Sequence, residues 1–143
     1  RLTKIYIIQL DKNNLGSDIF NSAYLNIVLI WNKGIAFGLF SFNESNLYNI
    51  LSLIISIIVV ILVIMSLKSH GFKRYSLLMI VGGALGNLHD RIFFNAVPDF
   101  IDFHVGNFHW FIFNVSDIFI TLGVISMIIL ELADNRTEKQ NND

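Results

Sequence analysis

The sequence has no cysteine, a single proline and few charges, with Asp, Glu, Lys and Arg together making up 15% of 143 residues. Without cysteine there is no disulfide framework. A formal net charge of -1 leaves no basic footprint for nucleic acid. A disordered chain would be polar and highly charged, whereas this one is 54% hydrophobic. Soluble domains carry about 25% charged residues. Here Ile, Leu, Phe and Val fill the difference, and the composition points to a membrane protein.

The gaps between charges locate the spans. No Asp, Glu, Lys or Arg occurs in the 23 residues between Glu44 and Lys68. The core of that gap, residues 48–67, has the length a helix needs to cross a bilayer, about 20 residues. Two more spans are expected at about residues 75–94 and 112–133. Each carries charge: Asp90 and Arg91 in the first, Asp117 in the second, with Glu131 near an end. The apolar run from Ile5 to Leu10 is too short to cross. The chain starts at Arg1 rather than Met, so residues 1–10 read as the remnant of a first span. They lack the ordered basic, apolar and small-residue regions of a complete signal peptide.

Lys and Arg in the short connections set the orientation. The Lys68–Arg74 connection holds three and the Asn95–Phe111 connection none. The first is therefore cytoplasmic, as is the tail after Ala133. Residues 11–47 and 95–111 are extracytoplasmic. Within them Tyr24–Trp31 is β-prone and ends in the turn signal Asn32-Lys33-Gly34. A small strand or hairpin on the outer membrane surface is expected there.

The two intramembrane aspartates reach similar depth from opposite directions. Asp90 lies roughly 22 Å along a helix from Tyr75, and Asp117 roughly 8 Å along one from Ile112. Both then sit just under the outer face. An ionised carboxylate in a span is costly and is a functional candidate by default. One reading is structural, with Asp90 bonded to Arg91 or Lys4 and Asp117 to a helix N-terminus. The other is a shared site in which one carboxylate is a general base on water and the other, protonated, polarises a carbonyl. Asn87 and Asn114 each precede an Asp by three residues and share its helix face. Gly82, Gly83, Ala84 and Gly86 allow close helix approach, and Gly82 with Gly86 makes a small-xxx-small spacing.

Other chemistries fit less well. A small ion- or proton-translocating protein could use Asp90 and Asp117 as a relay, but its carboxylates should spread through the membrane depth. Asp102, His104 and His109 lie in an outer segment without tight ligand spacing, and no metal site is expected. His89 adjoins Asp90 but should face another direction. Asp99 reads as a structural residue of the outer segment.

Four segments carry a family resemblance. Gly82-Gly83-Ala84-Leu85-Gly86-Asn87-Leu88-His89-Asp90-Arg91 resembles the hallmark of bacterial lipoprotein signal peptidase (signal peptidase II). Phe113-Asn114-Val115-Ser116-Asp117 resembles its Phe-Asn-x-Ala/Ser-Asp motif, and Asn32-Lys33-Gly34-Ile35-Ala36-Phe37-Gly38 its Asn-x-Gly-x-Ala-Phe motif. Val97-Pro98-Asp99-Phe100-Ile101-Asp102-Phe103 resembles the stretch before the last helix, with Pro98 where Val is usual. The resemblance spans nearly the whole chain.

It implies a single all-α membrane domain, a four-helix transmembrane bundle with a truncated first helix and a small extracytoplasmic β element. It also implies an aspartic endopeptidase of the bacterial cytoplasmic (inner) membrane, acting near the extracytoplasmic face. Such enzymes cut diacylglyceryl-modified prolipoproteins just before the lipid-modified cysteine. Asp90 and Asp117 match the catalytic dyad. Asn32, Gly34, Ala36 and Phe37 match the outer loop over the site, and Asn87, Arg91 and Asn114 the polar residues around it. The implied partners are lipid-modified prolipoproteins and membrane lipids, with no nucleic acid, no metal and no other cofactor, and the protein acts as a monomer. The family's first helix carries Asp-x-x-Thr/Ser-Lys. Thr3 and Lys4 match its end, and the matching Asp would precede Arg1.

Overall fold

The computed structural model describes residues 1–15, 18–34 and 45–142, with the backbone alone at 45–47 and 135–142. In chain order the elements are α1 (Leu2–Asn13), β1 (Phe20–Asn21), β2 (Leu25–Asn32), α2 (Ser45–Lys68), α3 (Gly71–Phe94), β3 (Val97–Val105), β4 (Phe108–Phe113) and α4 (Val115–Asn142). Three helical segments are long and apolar enough to cross a membrane: Tyr48–Lys68, Gly71–Phe94 and Val115–Asp134. The protein is thus mostly helical with a small sheet. At 12 residues, α1 is shorter than the about 20 a crossing requires.

The surface of α2 explains why it belongs in lipid. Tyr48, Val59 and Ser66 are buried along one side of it, while Ile54, Ile57, Ile58, Val60 and Ile61 elsewhere on its surface are exposed, so the helix is apolar on its outward side as well as its inward one. Its hydroxyls fold back on the helix: Ser52 Oγ donates to the Tyr48 carbonyl (3.0 Å) and Ser56 Oγ to that of Ser52 (2.7 Å). Bonded this way, they present no unpaired donor to an apolar surround.

Helix α3 packs against both α2 and α4. Glycines set its closeness to α4. A Cβ at Gly83 would meet the Ser116 carbonyl oxygen at 2.4 Å, and one at Gly123 the Ser76 carbonyl oxygen at 2.7 Å. Gly86 meets the Ser116 hydroxyl at 2.8 Å. The small-xxx-small pairing read from Gly82 and Gly86 is corrected here. Gly82 has nothing within 4 Å, so the contact runs through Gly83, Gly86 and Gly123. Helical rotation puts positions 82 and 83 about 100° apart, and only one can face α4.

The sheet is antiparallel in the order β1-β2-β3-β4. The expected strand at 24–31 is β2. Strands β3 and β4, in the stretch expected only to connect two spans, are an addition. They form a hairpin closed by Gly106 and Asn107, with Gly106 at φ +60. A positive φ at the first position of a two-residue loop suits the twist of a hairpin. Because β4 extends to Phe113, the last helix begins at Val115 rather than near 112. Asp117 therefore lies in the first turn of α4, not 8 Å along it. At the other end of α3, Asn95 adopts the left-handed conformation (φ 53) and returns its N–H to the Arg91 carbonyl, stopping the helix. Pairing of β2 with β3 joins the two outer segments. Helix α1 touches both of these strands.

Candidate active site

The last turns of α3, the first turn of α4, helix α1 and strands β2 and β3 converge on one buried polar cluster. It holds Lys4, Asn87, Asp90, Arg91, Asp99, Asn114 and Asp117, all below one-tenth exposed. Asp90 and Asn87 lie one helical turn apart on α3, as the sequence spacing requires.

Lys4 is the centre of the cluster. It is 1% exposed, and a lysine at that burial needs partners for its charge. Its Nζ donates to Asp90 Oδ2 and to Asn87 Oδ1, both at 2.6 Å. Asn87 Nδ2 in turn donates to Asp117 Oδ1 at 2.7 Å. A continuous chain of hydrogen bonds therefore runs from Asp90 through Lys4 and Asn87 to Asp117. Arg1 donates to the other Asp90 oxygen, Oδ1, at 2.8 Å and also contacts His89 Nδ1. His89, expected to face elsewhere, comes within 4.0 Å of Asp90, its ring against Phe93. Of the partners weighed from sequence for Asp90, Lys4 is the one found.

Asp117 is fixed by the start of its own helix. Asn114 precedes α4, and its Oδ1 accepts the Ser116 N–H (2.8 Å). Asp117 Oδ2 accepts the Asn114 N–H (3.0 Å). This is a reciprocal capping arrangement, with an acidic side chain in the first turn. One local motif thus both ends the strand and aims a carboxylate. Asn114 Nδ2 is left to donate to Asp99 Oδ1 at 2.6 Å.

Asp99 was read as a structural residue of the outer segment, yet it is 3% exposed and bonded into this network. Asn32 Nδ2 donates to its second oxygen (2.8 Å), while Asn32 Oδ1 accepts the Gly34 N–H (2.8 Å). Burial pushes the Asp99 carboxyl up to about 6 despite the bonds from Asn114 and Asn32, which pull it down. Asn32 and Asn114 therefore meet on Asp99. The signal available in sequence was its place between apolar residues in a strand with a buried face.

Arg91 shares the cluster with the aspartates but bonds elsewhere. Its Nη2 donates to the Gly34 carbonyl (2.9 Å), tying the segment after β2 to α3. Gly34 is buried at that contact. Ala36 and Phe37 lie outside the described residues.

A cavity of about 160 Å³ opens on the network, with Asn32, Asn87, Arg91, Asp99 and Asp117 among its lining residues. Beside it an apolar cavity of about 230 Å³ is lined by Phe111, Phe113, Asp117, Ile118, Thr121 and Leu122. Asp117 borders both. Such a site can hold a water and a peptide carbonyl against the Asp99 and Asp117 carboxylates that line it, with room for an apolar group alongside; Asp90 lies behind it, bonded to Lys4 and Arg1.

Asp102, His104 and His109 form a separate cluster on the β3–β4 hairpin. One ligand atom from each lies within 4.8 Å of the others. The expectation that they lack ligand spacing does not hold, because the hairpin turn brings His109 opposite His104.

The family profile described as "Signal peptidase (SPase) II" matches residues 1–133. The chain is 49% identical over 143 residues to the lipoprotein signal peptidase of Pelagibacter ubique (strain HTCC1062), covering 99% of this chain and 86% of that one. It is 43% identical over 135 residues to the lipoprotein signal peptidase of Anaplasma phagocytophilum (strain HZ), covering 92% and 83%. Two solved structures, each of a bacterial membrane enzyme, share the fold. One superposes with a TM-score of 0.68 at 29% identity, covering 94% of this chain and 87% of the other. The second gives 0.65 at 30% identity, covering 93% and 92%.

Proposed function

The chain belongs to the signal peptidase II family, and from that membership we propose that Asp90 and Asp117 are the catalytic dyad of an aspartic endopeptidase. The protein is a multi-pass membrane protease that removes signal peptides from prolipoproteins. The finer reading is that the substrate carries a diacylglyceryl-modified cysteine and is cut just before it. The enzyme would reside in the cytoplasmic (inner) membrane, with its site near the extracytoplasmic face and α1 joining the three spanning helices in a four-helix bundle. A relay for ions finds no support among the relatives.

The observation that carries the dyad is the buried chain Asp90–Lys4–Asn87–Asp117. Each aspartate keeps one oxygen on that chain. The mechanism follows aspartic-protease logic. One carboxylate takes a proton from a water whose oxygen attacks the scissile carbonyl carbon. The other, protonated, gives its proton to the carbonyl oxygen, forming a neutral gem-diol. The C–N bond then breaks: the leaving nitrogen takes a proton from the protonated carboxyl, one gem-diol hydroxyl returns its proton to the other carboxylate as the C=O re-forms, and the new carboxylic acid leaves with the dyad again holding one proton. Lys4 and Asn87 hold the two carboxylates in register. The apolar cavity beside Asp117 suits a lipid chain or an apolar signal-peptide side chain.

The test is cleavage of a lipidated prolipoprotein by Asp90→Asn and Asp117→Asn, each shown to insert and melt as the parent does. Each is expected to lose at least about three orders of magnitude, in keeping with removal of a general acid or base and its charge. A variant that still cleaves at the parent rate overturns the assignment.

A further inference from the structure

We propose that Asp102, His104 and His109 form a binding site for a zinc-like divalent transition metal on the β3–β4 hairpin, apart from the dyad.

The backbone places the three side chains together. Asp102 and His104 are two apart on β3 and so point to the same face. His104 and His109 are register partners across the hairpin. Their rings stand 5.0 Å apart and nearly parallel. His109 Nδ1 lies 2.8 Å from Asp102 Oδ2 and 3.1 Å from Oδ1. One donor atom from each residue falls within 4.8 Å of the other two. Around a four-coordinate zinc at 2.0–2.1 Å, donors stand about 3.4 Å apart. A small turn of the two rings closes the difference, and a strand-mounted His at the hairpin has room for it because the His109 side chain is 53% exposed.

Two further features suit a metal better than a simple His–Asp contact. His104 Nδ1 is buried and has no hydrogen-bond partner among the described residues. A buried ring nitrogen in that state is costly, and coordination would give it a partner. Asp102 is 3% exposed and is steadied from behind by Asn26, its register partner on β2, whose Nδ2 donates to Asp102 Oδ2 at 3.3 Å. Ligating carboxylates are commonly oriented by such an outer hydrogen bond. Two imidazoles and one carboxylate are a donor set for zinc and related divalent ions, with water completing the shell. Magnesium and calcium, which prefer all-oxygen shells, are disfavoured. A bound ion would fasten β4 to β3, and through Asn26 to β2, three residues along from Asp99.

The test uses the full chain in detergent, free of any histidine tag and stripped with EDTA, titrated with Zn2+ by calorimetry and by competition with a chromophoric chelator. One equivalent should bind. His104→Ala and His109→Gln should each weaken it at least about 100-fold, while His70→Ala, a histidine far from the hairpin in sequence, should leave it unchanged. Co2+ should give visible bands of a low-symmetry nitrogen–oxygen site, lost in His109→Gln. Prolipoprotein cleavage by the stripped His109→Gln variant serves as the folding check and should match the stripped parent. No stoichiometric binding to the parent, or binding equal in the parent and both hairpin variants, overturns the proposal. Because activity of the dyad is read separately, failure of the metal site leaves the protease reading intact.

Discussion

Replacing Gly83 by Ala probes whether the spacing of α3 and α4 sets the geometry of the dyad. The added Cβ would lie 2.4 Å from the Ser116 carbonyl oxygen and 2.7 Å from Ile120 Cγ1. Ordinary contact begins at 3.4 Å, so the first turn of α4 must retreat from the new Cβ by about 1 Å, because the atom it meets is backbone and cannot rotate aside. Asp117 is the next residue after Ser116 and moves with it. Overpacking of this kind costs about 1–3 kcal/mol. A misplacement of about 1 Å at a catalytic group costs on the order of 100-fold in rate. Gly83→Ala should therefore cleave prolipoprotein about 100-fold more slowly and melt at lower temperature in detergent. Gly82→Ala is the internal control: nothing lies within 4 Å of its Cβ, and alanine favours a helix over glycine by about 1 kcal/mol. It should cleave like the parent and melt no lower. Gly86→Ala should fall between, because its 2.8 Å neighbour is the Ser116 hydroxyl, which can change rotamer. If Gly83→Ala cleaves within a factor of a few of the parent, or if Gly82→Ala is the worse variant, the account of helix spacing is wrong.

Two other perturbations follow from the buried network. Lys4→Met removes the donor to both Asp90 and Asn87. Loss of one partner of a buried pair costs about 3–5 kcal/mol, so thermal unfolding should shift strongly downward and cleavage should fall with it; a variant that melts as the parent does refutes the pairing. Asp99, raised from 3.8 to about 6 by burial, makes a pH-dependent contribution of the opposite sign to a paired carboxylate. The folded state holds a proton there that the unfolded chain has released, so stability is greatest below pH 4, declines up to about 6 and is then flat. The full loss is on the order of 3 kcal/mol. Melting curves between pH 4 and 7 should fall more steeply for the parent than for Asp99→Asn, and equal slopes would contradict the burial of that charge.

The site was partly legible because helical spacing is rigid. Asn87 and Asp90 fall one turn apart on any helix that includes both; Asn114, expected on the helix face of Asp117, instead precedes α4 and caps it. The β3–β4 hairpin was also signalled, by Gly106-Asn107 between strand-like runs, a dipeptide type that marks two-residue turns. Its apolar residues blended into the following span in a hydropathy reading, which moved the start of α4 three residues early. Asp99 was not legible as a member of the network, because its partners Asn32 and Asn114 lie 67 and 15 residues away. The bond that holds Arg91 was hidden for the same reason: its guanidinium reaches Gly34, 57 residues distant.

Charge scarcity by itself determined that this chain belongs in a membrane, where its apolar segments run and which two aspartates are buried within or against them. Those are one-dimensional properties: the cost of placing charge in lipid depends on the local run of residues, and the periodicity of a helix assigns its faces. Tertiary structure alone decided which groups answer those aspartates. Lys4 meets Asp90 across 86 residues of chain, Gly83 rather than Gly82 meets α4, and two histidines and an aspartate come together because a turn reverses the strand that carries them. Buried polar groups must find partners wherever the fold brings them, and that requirement is satisfied in space, not along the sequence.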